Sequence, residues 1–186
     1  FFGAPLDQPD HACRAIECAM EISRVAEAYR QRMPANLGFG STRIGVNTGQ
    51  VIVGNFGGDA LFDYTAHGNA INIAARLENA NKITGTNVLV SEMSATGCDG
   101  FRGRPVGRFK LRGIMQPVTA FEPLTVDPES PGYYDAYLTA YQALTAQDDS
   151  AGRLFDKLHQ QYPSDRLVSF FQKRLSTGIT GNLIDV

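Results

Sequence analysis

Residues 62–91 set a helix between two strands with little connecting chain. Phe62–Ala66 reads as a short strand, a helix is expected over 69–81, NKITGTN stops it, and NVLVS (87–91) is the next strand. Ala70, Ile71, Ile73, Ala74, Ala75 and Leu77 make most of that helix apolar, so it has to lie on a sheet. Within it stand Asn72 and Arg76, four residues apart. Four residues advance a helix by about 400°, so the two side chains leave within about 40° of each other and can meet one ligand. Arg76 offers a planar fork of donors suited to phosphate oxygens, and Asn72 can orient a sugar hydroxyl. On spacing alone the ordinary reading is a surface ion pair of Arg76 with Glu78 or an aspartate, with Asn72 solvated.

The rest of the chain continues the alternation. FFGAP reads as the end of a strand entering a turn, and Asp7 or a neighbour caps a helix over about 9–32. Ala12, Ile16, Ala19, Ile22, Ala26 and Tyr29 give that helix one buried stripe, and Pro34 with ANLGFG ends it. Ile44–Val46 and Val51–Val53 flank Thr48-Gly49 and read as a hairpin. Gly57-Gly58-Asp59 is expected to be a tight turn. SEMSA reads as a short helical turn with Ser91 as cap, and PVGRFKLRG with QPVTAFEPL as a final antiparallel pair. Residues 125–132, TVDPESPG, read as a linker. Three helical segments follow over 133–186, the last capped by Ser164 or Asp165. They are similar to part of a tetratricopeptide-type helical pair, and they are expected to pack on the main domain or on a partner. The pattern predicts the α+β class, an antiparallel sheet with helices on one face, in a domain over 1–124.

Composition narrows the function. The 186 residues are 43% hydrophobic and 19% charged, which is ample for a core, and the net charge of −2 argues against a nucleic-acid surface. A local cationic pocket for one phosphate ligand is compatible with that balance. Cys13, Cys18 and Cys98 read as buried small residues in a reducing compartment, and none stands at zinc spacing from His11, His67 or His159. His67 reads as structural or pocket-lining, and Arg112, before Gly113 at a strand end, as either a solvated turn residue or a phosphate contact. The chain shows no run of 18 apolar residues and no signal peptide, and a cytoplasmic location is expected of it, with a membrane anchor or sensor left open for a longer parent.

Four segments together resemble one family. FFGAP, RIGVNTGQVIVGN, DYTAHGNAINIAARLE and FKLRGIMQPVTAFE match, in order and spacing, the catalytic domain of class III nucleotidyl cyclases, the adenylyl and guanylyl cyclase family, over about residues 1–124. The C-terminal helices resemble extensions of some bacterial members. The resemblance implies a ferredoxin-like core, head-to-tail pairing of two domains as a homodimer or with another cyclase domain, and active sites at their interface. One domain would hold two divalent ions, Mg²⁺ or Mn²⁺, on two aspartates, and the other would read the nucleotide. By motif position Asn72 would orient the ribose, and Arg76 would stabilise charge on the phosphates of ATP or GTP. Thr65 would read the purine, with an oxygen acceptor suiting adenine, and Arg112 takes the place of a phosphate-binding lysine.

Two departures qualify the match. The family's metal-binding aspartates are expected upstream of Phe1, and Asp7, Asp10 and Asp59 match neither position. Gln50 stands where some relatives carry a basic phosphate contact. The resemblance therefore implies an adenylate cyclase parent, making cyclic AMP and pyrophosphate, with these 186 residues inactive alone and prone to oligomerise. A degenerate, nucleotide-binding regulatory module and a guanylate cyclase are the alternatives.

Overall fold

The computed structural model describes residues 1–34, 38, 40–58, 61–124 and 132–186. In chain order the elements are α1 (His11–Arg32), β1 (Ile44–Val46), β2 (Ile52–Gly58), β3 (Leu61–His67), α2 (Asn69–Thr84), β4 (Val88–Ser91) and α3 (Glu92–Thr96). Then come β5 (Gly103–Lys110), β6 (Val118–Pro123), α4 (Tyr133–Thr145), α5 (Ser150–Gln161), α6 (Arg166–Ser176) and β7 (Leu183–Asp185). Strands β1-β4-β6-β5-β7 form one sheet in that order, and β2 with β3 forms a separate two-stranded ribbon.

The α+β class holds, but the pairing differs from the local reading in two ways. Ile44–Val46 does not make a hairpin with Val51–Val53. β1 runs parallel to β4, Ile44 opposite Val88, while β2 pairs antiparallel with β3 from Ile52–His67 to Gly58–Leu61. β7, which shows no period in so short a segment, adds parallel to β5, so the sheet is mixed. The antiparallel pair of β5 and β6 is as expected.

Helices cover both faces, not one. Along β4, Val88 and Val90 pack with Ile16 and Ala19 of α1, whereas Leu89 packs with Leu77 and Ala80 of α2. Successive strand side chains point to opposite faces, so α1 and α2 lie on opposite sides. The C-terminal helices share the α2 face: Tyr137, Leu144, Phe155, Leu167 and Phe171 join Val106, Phe109 and Ile184 in one core. Close approach of α2 to the sheet fixes Gly45. A Cβ there would stand 2.0 Å from the Ala74 carbonyl oxygen and 2.5 Å from the Glu78 nitrogen.

Local features divide between agreement and correction. Ser91 caps α3 by accepting from the Ser94 nitrogen, and Asp165 caps α6 by accepting from Leu167 and Val168. Asp7 does not cap α1. The N-cap position is Asp10, whose carboxylate takes a bidentate bond from Arg14 Nε instead. FFGAP forms no strand; Gly3 donates to Gln8 Oε1 in a turn. On α1 the stripe buries only its first half, Ala12, Ile16 and Ala19, and Ile22 remains 49% exposed. Asp59 of the expected tight turn, residues 35–37 and 39, and 125–131 of the linker lie outside the described residues.

The cysteine reading is overturned. Cys13 of α1 and Cys98 just after α3 are joined in a disulfide, and Cys18 is exposed rather than buried. The two half-cystines are 85 positions apart, so no local pattern pairs them. They meet because α1 packs on α3, where a side chain at Gly97 would begin 3.2 Å from the Ala12 methyl.

Candidate functional site

Helix α2 is held on the sheet by amide side chains. Asn47, following β1, donates through Nδ2 to the Ala70 carbonyl at 3.1 Å in the first turn of α2. Asn81, near the other end and 1% exposed, donates to the Ile44 carbonyl at 3.0 Å and accepts from Thr86 Oγ1 at 2.7 Å. Thr86 in turn bonds Thr84 Oγ1 at 2.8 Å. Two points of attachment, one per end, fix the rotation of α2 about its axis. Sequence reasoning passed over Asn47 and Asn81. The signal for Asn81 was an amide of modest helix propensity inside an apolar helix, which needs buried partners.

With that rotation set, Ala70, Leu77, Ala80, Asn81 and Thr84 are buried. Asn72 is exposed and Arg76 half-buried. The ordinary surface pair is not made: Glu78 faces Arg43 at 3.5 Å. Arg76 has no ion pair or hydrogen bond among the described residues. Its guanidinium lies instead by the turn after β5, where a side chain on Gly113 would begin 3.7 Å from Arg76 Nη2. Gly113 has φ +74°, a left-handed conformation, and its amide group follows Arg112, which is exposed. The turn closes through Ile114 N donating to the Leu111 carbonyl at 3.0 Å. The structure thus brings Arg76 to the segment that carries Arg112, two cations without carboxylate partners among the described residues.

Thr65 lies apart from them. On β3 opposite Gly54, it lines a groove of about 480 Å³ with Phe1, His11, Val51 and Ile71, which neither Asn72 nor Arg76 enters. Gln50 lines a second cavity of about 370 Å³ with Asn69, Ile73, Glu92 and Ile114. His67 stacks edge-on against Phe56, ring centroids 4.2 Å apart, and no hydrogen bond links it to an acid among the described residues. The strongest electrostatic cluster is elsewhere. Arg104 on β5 bonds Glu122 of β6, Asp165, the N-cap of α6, and Tyr133 of α4. Burial pushes the Glu122 carboxyl up, with Arg104 offsetting only part of that effect. Burial also acts to raise Asp165, but the bonds from Arg104 and Tyr133 more than reverse it and hold the carboxyl below its usual range. These groups join the C-terminal helices to the sheet.

Residues 1–122 match the family model described as the adenylate and guanylate cyclase catalytic domain. A Rhizobium meliloti protein named adenylate cyclase 1 is 35% identical over 123 residues, 65% of this chain and 18% of its own length. An uncharacterised Mycobacterium tuberculosis protein is 31% identical over 156 residues, 81% of this chain and 25% of its length. The chain thus spans a quarter or less of either relative. Among solved structures, the adenylyl cyclase CyaB from P. aeruginosa aligns with TM-score 0.58 and 27% identity, over 70% of this chain and 68% of that one. The guanylyl cyclase Cya2 aligns with TM-score 0.53 and 26% identity, over 69% and 65%. The chain belongs to the adenylate and guanylate cyclase catalytic-domain family.

Proposed function

We propose that this chain supplies the nucleotide-reading and charge-stabilising half of an adenylate cyclase site, in a protein that converts ATP to cyclic AMP and pyrophosphate. The observation that carries this reading is Arg76. It is a half-buried arginine on a helix that buries Ala70, Leu77 and Ala80, beside the Arg112 turn, and no carboxylate among the described residues pairs with it. Such a group is poised to take phosphate oxygens, where charge develops during displacement at the α-phosphorus. Asn72, one turn earlier on the same side, is exposed and has a free amide to orient a ribose hydroxyl. Arg112 adds a second cation for the triphosphate. Thr65, standing apart, reads the purine as an oxygen acceptor for the adenine amino group. The name of the Rhizobium relative supports ATP over GTP.

The family implies two divalent ions, which would bind the triphosphate and activate the attacking hydroxyl. Among the described residues no group of three or more His, Cys, Asp or Glu side chains is placed to hold a metal ion. No residue of this chain is assigned to those ions, and the role proposed for the chain is confined to orientation and charge stabilisation. The complementary half comes from another cyclase domain, one that carries the paired aspartates. The exposed Ile22 and Val25 on α1 and the outer edge of β1 are surfaces that association would cover. No helix among the described residues is long and apolar enough to cross a membrane.

The test is cyclic-nucleotide formation from ATP and GTP with Mg²⁺ or Mn²⁺. These 186 residues alone should give none, and mixing them with a cyclase domain that carries the paired aspartates should give cyclic AMP in preference to cyclic GMP. Turnover by the purified chain alone refutes the half-site reading. A preference for GTP selects the guanylate reading, and nucleotide binding without turnover in any mixture selects the regulatory module.

A further inference from the structure

A second cationic surface lies on α2, near its C-terminal end and away from Arg76. Lys82 and Gly85 at the end of α2 line a cleft of about 540 Å³ together with Arg166, Ser169, Lys173 and Arg174 of α6. That volume is ordinary for a small-molecule site. The cleft is lined by four cations and by no carboxylate. None of the ion pairs among the described residues involves any of the four.

Two acids whose charge reaches these cations, Glu27 and Asp185, have partners of their own or lie in solvent. Glu27 feels the charge of Arg166, but its oxygens take bonds from Arg30 at 2.6 and 2.7 Å and from Gln31 at 3.0 Å. Asp185, which feels Arg174, is 81% exposed and lies 3.8 Å from Lys110. Arg174 is held in place: Nη2 donates to the Leu183 carbonyl at 2.9 Å and the guanidinium lies over Phe170 at 5.5 Å. Its Nε is buried with no hydrogen-bond partner among the described residues. Burial lowers the tendency of Arg174 to hold its proton. Part of this charge complements the C-terminal dipoles of the two helices, since Lys82, Lys173 and Arg174 stand in last turns. That role needs each cation at its own helix end. It does not account for Arg166, at the opposite end of α6, or for the convergence of all four on one cleft.

We propose that this cleft binds a phosphate-bearing anion of multiple charge, which bridges the C-terminal end of α2 to α6. Like charges drawn onto one concave surface repel, and a polyphosphate removes that repulsion while accepting charge-assisted hydrogen bonds from ammonium and guanidinium groups. Because Asn72 and Arg76 stand on the same helix, the bound anion stiffens the element that carries them. The inference rests on the cleft alone and stands whether or not the cyclase reading does.

The test is calorimetric titration of the whole chain with sodium pyrophosphate, and with sodium sulfate at matched ionic strength. Hydrogen exchange is followed in parallel. Saturable pyrophosphate binding is expected, with added protection in residues 82–85 and 166–177 that extends back along α2 through 72–81. K82Q/K173Q, which changes two exposed side chains and should retain the wild-type circular dichroism and melting, is expected to weaken binding by about tenfold or more. ATP without metal is the second arm. Tighter binding than pyrophosphate, lost in the same variant, makes a nucleotide the ligand, and equal affinity makes it the bare polyphosphate. The proposal is overturned by absence of saturation, by sulfate matching pyrophosphate, by binding undiminished in K82Q/K173Q, or by binding lost in R112Q instead.

Discussion

Replacing Arg104 by methionine tests how the C-terminal helices are held. The Arg104 side chain is 11% exposed and lies between Glu122, 22% exposed, and Asp165, 14% exposed, with N···O distances of 2.6 Å to each. It also lies 5.0 Å from the Tyr137 ring centroid, so a methionine keeps part of the packing. What it cannot keep is the charge. Two carboxylates are left buried on one site without a cation, and breaking a buried pair in this way costs about 3–5 kcal/mol. For a chain of this size that corresponds to a fall in Tm of about 6–20 °C. The loss must depend on pH. In the wild type Asp165 has a depressed pKa, so its contribution is present above the ordinary carboxylate range and is lost as pH falls through the folded value. Glu122 has a raised pKa, so it favours the folded state at low pH and loses that contribution as pH rises. In R104M both carboxyls move up, so the variant's deficit is larger at pH 8 than at pH 5. Urea denaturation at both pH values measures it, and R104M/E122Q should recover part of the loss at pH 8. An R104M chain within about 1 kcal/mol of wild type at pH 8, or a deficit equal at both pH values, refutes the reasoning.

Three further outcomes are expected. Reducing Cys13–Cys98, which closes a loop of 85 residues, should lower stability by about 4–5 kcal/mol on the chain-entropy model, read as a lower Tm with reductant, whereas C18S should melt like wild type. Gly45→Ala should cost about 1–3 kcal/mol in a denaturation midpoint, because its methyl would stand 2.0 Å from the Ala74 carbonyl and α2 would have to lift. Arg76→Ala, in a mixture with a metal-carrying cyclase domain, should cut kcat by about 10²–10³-fold with little change in Tm, since the side chain has no partner among the described residues. Arg76→Lys should restore little, because an ammonium does not reproduce the planar fork.

The sequence was most legible where structure is decided within a few residues. The apolar run from Ala70 to Leu77 could only be a packed helix, and the caps at Ser91 and Asp165 follow from side chains that bond amides two or three residues on. Legibility failed where partners are distant. Thr48-Gly49 looks like a hairpin turn, yet β1 is claimed by β4, some forty residues later, in parallel register. Nothing local to Ile44–Val46 reports that. Gly45 would have hinted at it, since its missing side chain makes room for α2. Cys13–Cys98 and β7 were hidden for the same reason. For the site, the shared face of Asn72 and Arg76 was legible from spacing, whereas the Arg76–Glu78 pair was misjudged, because residues two apart on a helix do not face each other and Glu78 lies by Arg43 instead.

The boundary at 125–132 divides the chain without dividing its core. Tyr134 and Tyr137 of α4 donate to the Gly103 and Pro105 carbonyls of β5 at 3.0 and 2.7 Å, and Ile184 of β7 buries beside Phe109. Asp165 does two jobs there, capping α6 and pairing Arg104, so the helix cannot shift along its axis without losing the ion pair. α6 in turn packs on α2: a side chain at Gly85 would begin 2.6 Å from the Arg166 Cβ. The C-terminal helices therefore bear on the element carrying Asn72 and Arg76, which Asn47 and Asn81 also hold. A change that loosens α6 should then alter the position of Arg76, whereas one confined to the β2–β3 ribbon should leave it in place.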